Sequence, residues 1–159
     1  ADMDEALVSY LRRRHDLLIG DATAGRIRKQ VGLAMPPGDG AGMTVYIKGR
    51  DSRTHRPKNI DTNQAEIQEA LAPYVDYIVE GVRSLLARIA PELAADLVGQ
   101  GIYIAGGGAL LNGLDQALRS ATGLPVTLAE DALLASAIGA GRALDDPNLR
   151  GLAFEYRRG

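Results

Sequence analysis

The sequence predicts an α/β fold, and three observations carry that prediction. The last third alternates strand and helix patterns: "GIYIA" (101–105), an apolar-periodic stretch through Leu110, Leu111, Leu114 and Leu118, "TGLPVTLAE" (122–130) and "EDALLASAIGAGRAL" (130–144). Before it, "MTVYIKGRD" (43–51) and "RPKNID" (56–61) flank a polar turn at 52–55, the pattern of a small β-hairpin. Between the two lies the strongest helical period in the chain. Ile67, Leu71, Val75, Ile78, Val82, Leu85 and Ile89 fall on one face behind the capping-box pair Asn63 and Glu66.

The remaining elements follow in order. Residues 2–18 read as a helix, with Asp2 and Glu5 spaced as a capping box and Met3, Leu7 and Leu11 on one face. Arg12 to His15 sit on its late turns, where cations suit the negative end of the helix dipole and a solvated charged end is the ordinary outcome. His15 has no partner pattern around it. Gly20 ends this element, and Asp21 or Thr23 caps a second helix over residues 24–32. Gly25 lies inside that helix although glycine costs about 1 kcal/mol there relative to alanine. Residues 34–42, "AMPPGDGAG", form a loop of turn residues. Pro73 is expected to kink or break the long helix, and Pro91 opens a shorter one over "PELAADLVGQG" (91–101). The predicted division is a hairpin-plus-helix part at 33–85, an α/β part made of 1–32 and 86–145, and a tail at 146–159.

Composition narrows the functions open to the chain. With no cysteine, disulfides and thiolate metal sites are excluded. A net charge of −2 offers no general attraction to nucleic acid or to an anionic membrane. No apolar run approaches the ~20 residues that cross a bilayer, and the opening "ADMDEAL" is no signal peptide, so cytoplasm is the expected compartment. The chain starts inside a patterned helix without an initiator methionine, which predicts a segment of a longer protein.

Catalytic constellations are scarce. There is no GxxxxGK[ST] loop, no GxSxG elbow and no HExxH, and His15 and His55 are forty residues apart without carboxylates at metal-ligand spacing. Glu130–Asp131 and Asp145–Asp146 read as helix-terminus acids. The exception is Gly106, Gly107 and Gly108, followed by Ala109, where a strand passes into a helix. Such a turn leaves backbone N–H groups free and lets a ligand approach closely. From the residues alone it serves either a nucleotide or the tight packing of helix on sheet. "RIRK" (26–29) places cations one turn apart, either at the same cleft or on an exposed basic face.

Segment order adds a resemblance. "MDEALVSYLRRRHDLLIGDATAGRIRKQVG", "KGRD", "EIQEAL", "PELAADL", "GIYIAGGGALLNGLDQAL", "TGLPV" and "AED" follow one another as in the MreB family of bacterial actin-like filament proteins, over roughly residues 2–145. A paralogue such as the magnetosome-organising actin resembles it as well. The resemblance implies an actin-like (ribonuclease H-like) ATPase lobe: the second large subdomain and its small α+β partner. It implies ATP and Mg²⁺ between two lobes, with the phosphates held by two hairpin loops that precede the segment seen here. The chain by itself is then expected not to be catalytic.

The same resemblance implies that Gly106, Gly107, Gly108 and Ala109 face adenosine, and that the helix bearing Gly25, Arg28 and Lys29 forms the other wall. Here the sequence departs from the family. Gly25 stands where the ribose-binding glutamate is expected, Arg28 where the lysine is, Ala105 where a threonine precedes the glycines, and Ala132 where a proline follows "ED". Loss of a charged acceptor costs about 1.5–3 kcal/mol of binding. Implied partners are further copies in a filament and a membrane-anchored adaptor, with filaments lying at the inner face of the membrane. Neither nucleic acid nor direct membrane binding is expected of this half. Two alternatives are a fragment of a sugar-kinase-type member of the same superfamily and a nucleotide-free module that interacts with filaments.

Overall fold

A computed structural model describes residues 3–38 and 40–146. Asp2, half of the first predicted capping box, and the tail from 147 onward lie outside the described residues. The elements are α1 (Met3–His15), β1 (Leu17–Leu18), α2 (Asp21–Val31), β2 (Thr44–Asp51), β3 (Pro57–Asn63), α3 (Gln64–Leu86), α4 (Pro91–Gln100), β4 (Ile102–Ile104), a 3-10 turn (Gly107–Leu110), α5 (Leu114–Thr122), β5 (Val126–Leu128) and α6 (Ala135–Asp145).

The first helix buries Met3, Leu7 and Leu11, three positions four residues apart that form a single stripe. It stops at His15, earlier than its pattern predicts. Asp16 takes a left-handed backbone (φ 49°), and Leu17 and Leu18 then pair antiparallel with Asp51 and Arg50 of β2. β2 and β3 form the predicted hairpin, and β1 adds a third strand in the order β1-β2-β3. Along β2 the burial alternates, with Val45 and Ile47 inward and Tyr46 three-quarters exposed, as a one-sided strand requires. The Asp51 carboxylate closes the turn. It accepts the N–H groups of Thr54 and Arg53 and the Lys58 ammonium, which hold its pKa far below the carboxylate range.

These pairings tie the first helices to the hairpin. Residues 3–31 assemble on the hairpin and on the first half of α3, because β1 is a strand of the hairpin sheet and α1 packs on both α2 and α3, and Met3 also reaches Gly108 of the later segment. The later part is a parallel pair, β4 with β5, and α5 packs on both β5 and α3. A parallel bridge from Leu33 to Asn112 and the bond from Ala34 N–H to the Asn112 carbonyl (2.8 Å) join the two parts. Their buried residues form one continuous cluster, running from Leu7, Ile47 and Leu71 through Leu114 and Leu118 to Val126.

Several local expectations are corrected. The second helix has Gly20 as its N-cap with no side-chain cap, and Asp21 is already helical. The third runs as one element across Pro73. Its apolar face is fully buried from Ile67 to Val75, Ile78, Val79 and Val82 are partly buried against the same core, and Leu85 near its end is 65% exposed. Asn63 does cap the Glu66 N–H (2.9 Å), yet the reciprocal half of the capping box is missing. The Glu66 carboxylate instead accepts the Thr62 hydroxyl and lies 2.9 Å from His15 Nε2, so the histidine that looked partnerless ties the end of α1 to the start of α3. Tyr10 makes a parallel tie to Glu69 at 2.8 Å, and burial followed by that acid pushes its pKa up to about 12. β4 is not the buried strand its sequence resembles: Tyr103 is 70% exposed.

Thr62 first, and then His15, hold the Glu66 carboxyl below its usual value of 4.5, against burial that raises it. A lowered folded-state pKa contributes stability that is complete above the unfolded value and lost as pH falls through the folded one. Glu66→Gln is therefore expected to lower the melting temperature at pH 7, with the gap to the parent closing from about pH 5 downward. Thermal unfolding followed by circular dichroism across that range checks this; a gap that is the same at every pH contradicts it.

Candidate functional site

The glycine run does not open an α-helix. Gly106 takes φ 88°, a conformation that glycine adopts without penalty, and its N–H donates to the Ala132 carbonyl at 2.7 Å. The chain then makes the 3-10 turn of residues 107–110, and α5 begins only at Leu114, after a second left-handed glycine, Gly113. Free N–H groups at an α-helix start are thus not what this turn offers. It offers bare backbone: a Cβ on Gly107 would meet only Leu133 Cδ2 at 3.6 Å, and one on Gly108 only Met3 Cε at 3.9 Å.

This bare stretch is one wall of a cavity of about 710 Å³. Gly107, Gly108, Leu110 and Leu111 come from the turn and Leu133 from the segment after β5. Met3 comes from the start of α1, Tyr74 from α3, and Arg28 with Lys29 from the last turn of α2. Four residues singled out in the sequence, Arg28, Lys29, Gly107 and Gly108, are therefore brought together from chain positions almost eighty apart. The other three are not in the lining. Gly106 is tied to Ala132 behind the turn, Ala109 is buried beneath it, and Gly25 faces α1. Sequence reasoning missed Met3, Tyr74, Leu110, Leu111 and Leu133 as lining: Met3, Leu110 and Leu111 follow the apolar period of their segments and read there as core, and no local pattern singles out Tyr74 or Leu133.

Gly25 has a specific neighbour. A Cβ at this position would lie 3.2 Å from Asp4 Oδ2. The same carboxylate grips Arg28 as a fork, with Nε to Oδ1 at 2.6 Å and the second pair at 3.4 Å, and both side chains are four-fifths or more buried. An acid thus does stand at this wall, delivered by α1 and not by α2, in space that a side chain at position 25 would take. Charge-assisted, forked pairs of this kind are strong and directional, so the Arg28 guanidinium is held in place at the cavity edge. No carboxylate lines the cavity, and no group of three metal-ligating side chains occurs among the described residues.

The family model for the MreB/Mbl protein matches residues 1–150. The chain belongs to that family. It is 41% identical to the cell shape-determining protein Mbl of Bacillus subtilis over 90% of its length, and 41% identical to the cell shape-determining protein MreB of Escherichia coli K12 over 93%. In both comparisons this MreB/Mbl chain spans 42% of the relative. Among solved structures it is similar to MreB5 of Spiroplasma citri bound to ADP, with a TM-score of 0.83 and 27% identity over 99% of this chain and 46% of that one. The AMPPNP-bound form of MreB5 matches at a TM-score of 0.76 and 30% identity, over 83% of this chain and 39% of that one. MamK in a double helical filament shares the fold, with a TM-score of 0.71 and 23% identity over 91% of this chain and 43% of that one. The fold is accordingly actin-like α/β.

The Asp4–Arg28 pair makes a double-mutant test possible. Asp4→Ala is expected to cost about 1–3 kcal/mol, because it leaves a largely buried guanidinium without its acid. Gly25→Glu alone is expected to destabilise, since it sets a second carboxylate against Asp4. In the Asp4→Ala background the same change is expected to be neutral or stabilising, with the new acid taking over Arg28. Urea unfolding of the four proteins gives the coupling energy, and simple additivity contradicts the shared placement.

Proposed function

We propose that this chain is the second half of an MreB-like bacterial actin that binds ATP between two lobes and polymerises into cytoskeletal filaments organising cell shape and cell-wall elongation. The observation that carries the reading is the meeting of the glycine turn with Arg28 and Lys29 around one cavity, in a chain of this family. The lining suits the adenosine end of a nucleotide. Bare backbone at Gly107 and Gly108 admits a flat ring, Leu110, Leu111 and Leu133 give it apolar contact, and the α2 cations supply donors to the sugar side. MreB5, the relative whose fold this chain shares over nearly its whole length, has been solved with ADP and with AMPPNP.

The chemistry of the lining also divides the labour. Mg²⁺ calls for carboxylate ligands and no carboxylate lines this cavity, so in this reading the phosphate clamp and the water-positioning groups come from the other lobe. Alone, the chain does not hydrolyse ATP. Filaments of the whole protein lie in the cytoplasm at the inner face of the membrane, and a membrane-anchored adaptor docks on this lobe. Among the described residues no helix is long and apolar enough to cross a membrane. A nucleotide-free interaction module is the second reading, favoured by one observation: Asp4 already occupies Arg28 beside Gly25.

Gly107→Asp tests the site in the full-length polypeptide. The new side chain points at a cavity wall with room for it, so the melting temperature is expected to hold within a few degrees. A carboxylate against the nucleotide is expected to weaken a fluorescent ATP analogue by about tenfold or more, equivalent to at least ~1.4 kcal/mol. Unchanged affinity places the nucleotide elsewhere, and filaments that co-sediment equally with and without ATP favour the module.

A further inference from the structure

The first turn of α1 touches both sides of the cavity with consecutive residues. Met3 lines the cavity and reaches the glycine side, its Cε 3.9 Å from where a Cβ of Gly108 would lie. Asp4, the next residue, turns to α2 and grips Arg28, with Nε to Oδ1 at 2.6 Å and Nη2 to Oδ2 at 3.4 Å. One helical turn therefore links the bare backbone to the guanidinium opposite it.

The groups on the α2 side are layered in a definite order. Arg28 lines the cavity and Asp4 does not. From the cavity outward the order is arginine first and carboxylate second. Asp4 Oδ2 lies 3.2 Å from where a Cβ of Gly25 would stand, so the acid sits close against α2 behind the arginine. What a ligand meets from this side is a donor, because an arginine carries five N–H groups and no acceptor. The forked carboxylate fixes the plane of that donor, and both partners are four-fifths or more buried. Lys29, next along α2, also lines the cavity, but it is exposed and brings a flexible point charge.

A ribose hydroxyl both donates and accepts, and a site can read either half. A carboxylate reads the hydrogen, whereas an arginine reads the oxygen. We infer that this cavity recognises the sugar through its oxygens, by donation from Arg28, with Asp4 as the positioning residue that holds the guanidinium. This rests on the nucleotide reading above and names the group that decides which sugars the site takes. The ligand class follows: nucleotides whose ribose keeps its 2′ and 3′ oxygens, whether or not both carry hydrogen. Positioning matters because a guanidinium that can turn must be ordered when the ligand arrives, and that ordering weakens binding. The forked pair orders it beforehand.

Displacement of a base-labelled fluorescent ATP analogue from the full-length polypeptide tests the sugar contact. ATP and 2′,3′-dideoxy-ATP are expected to differ by about tenfold or more, the effect of hydrogen bonds to a charged group. The 2′-O-methyl and 3′-O-methyl ethers of ATP keep both oxygens and lose one donor hydrogen each, so each is expected to bind within about threefold of ATP. Asp4→Asn is expected to weaken ATP by about tenfold and the dideoxy analogue by less than about threefold, so that the discrimination collapses. A purely structural defect weakens both ligands alike. Arg28→Met is expected to abolish the discrimination too. The ether comparison needs no substitution and decides the matter even where a variant fails to fold.

Ethers that bind as weakly as the dideoxy analogue show that the hydrogen is read, and they overturn the inference. So does discrimination that survives Arg28→Met, which makes Asp4 the reader, and so does an Asp4→Asn protein that loses both ligands equally. A parent that binds ATP and the dideoxy analogue alike sinks the sugar contact and leaves the nucleotide reading standing. A parent that binds neither sinks both.

Discussion

The Met3–Leu7–Leu11 stripe of α1 is the contact on which the rest of the molecule depends. All three side chains are essentially buried, each worth about 1.5–3 kcal/mol of apolar burial. The helix packs on α2 and α3, runs directly into β1, and at Met3 closes over the glycine turn. α3 carries the stripe onward: it packs on α1, α2, β3 and α5, Ile67, Leu71 and Val75 complete the same core, and the lower half of that helix carries α5. Beyond Val75 the cover thins. α4 and α6 bury no residue, and large apolar side chains such as Leu93, Val98 and Ile138 stand in the open.

Polar contacts then fix what the apolar stripe leaves adjustable. A stripe allows small rotations and slides, whereas hydrogen bonds have geometry. Arg28 is forked onto Asp4 near the start of α1, Tyr10 is bonded to Glu69 in its middle, and His15 meets Glu66 at its end. These ties connect α1 to α2 once and to α3 twice. They join two walls of the cavity, because Met3 and Arg28 both line it. The Asp4–Arg28 pair thus fixes one lining cation from beside the cavity.

Gly25 shows how a departure from a family pattern is absorbed. In the sequence it is a missing acid in a helix that glycine should weaken. In the structure Asp4 occupies the space above it, and a Cβ at position 25 would lie 3.2 Å from Asp4 Oδ2, so that carboxylate would have to shift. The acid beside this helix comes from α1, and Arg28 is what it holds. A single departure in a motif is therefore a poor measure of lost chemistry when a neighbouring helix is within 4 Å.

Periodicity and turn chemistry by themselves determined most of the elements: the hairpin at 44–63, the long helix after Asn63, the Pro91 start and the strand–helix alternation of the last third. They determined these because each depends on residues a few positions apart. Segment order identified the family and pointed to Arg28, Lys29, Gly107 and Gly108. What local patterns do not contain is partner choice. Leu17 and Leu18 continue a helical period, and only the waiting edge of β2 makes them a strand. Pro73 is a helix breaker by local rules, yet α3 passes through it, with Ile67 to Val75 pinned on both sides of the proline. Glu66 satisfies a capping-box pattern but turns to Thr62 and His15, fifty residues away in the second case. The cavity lining and the ties that hold α1 rest on such long-range contacts, which tertiary packing alone decides.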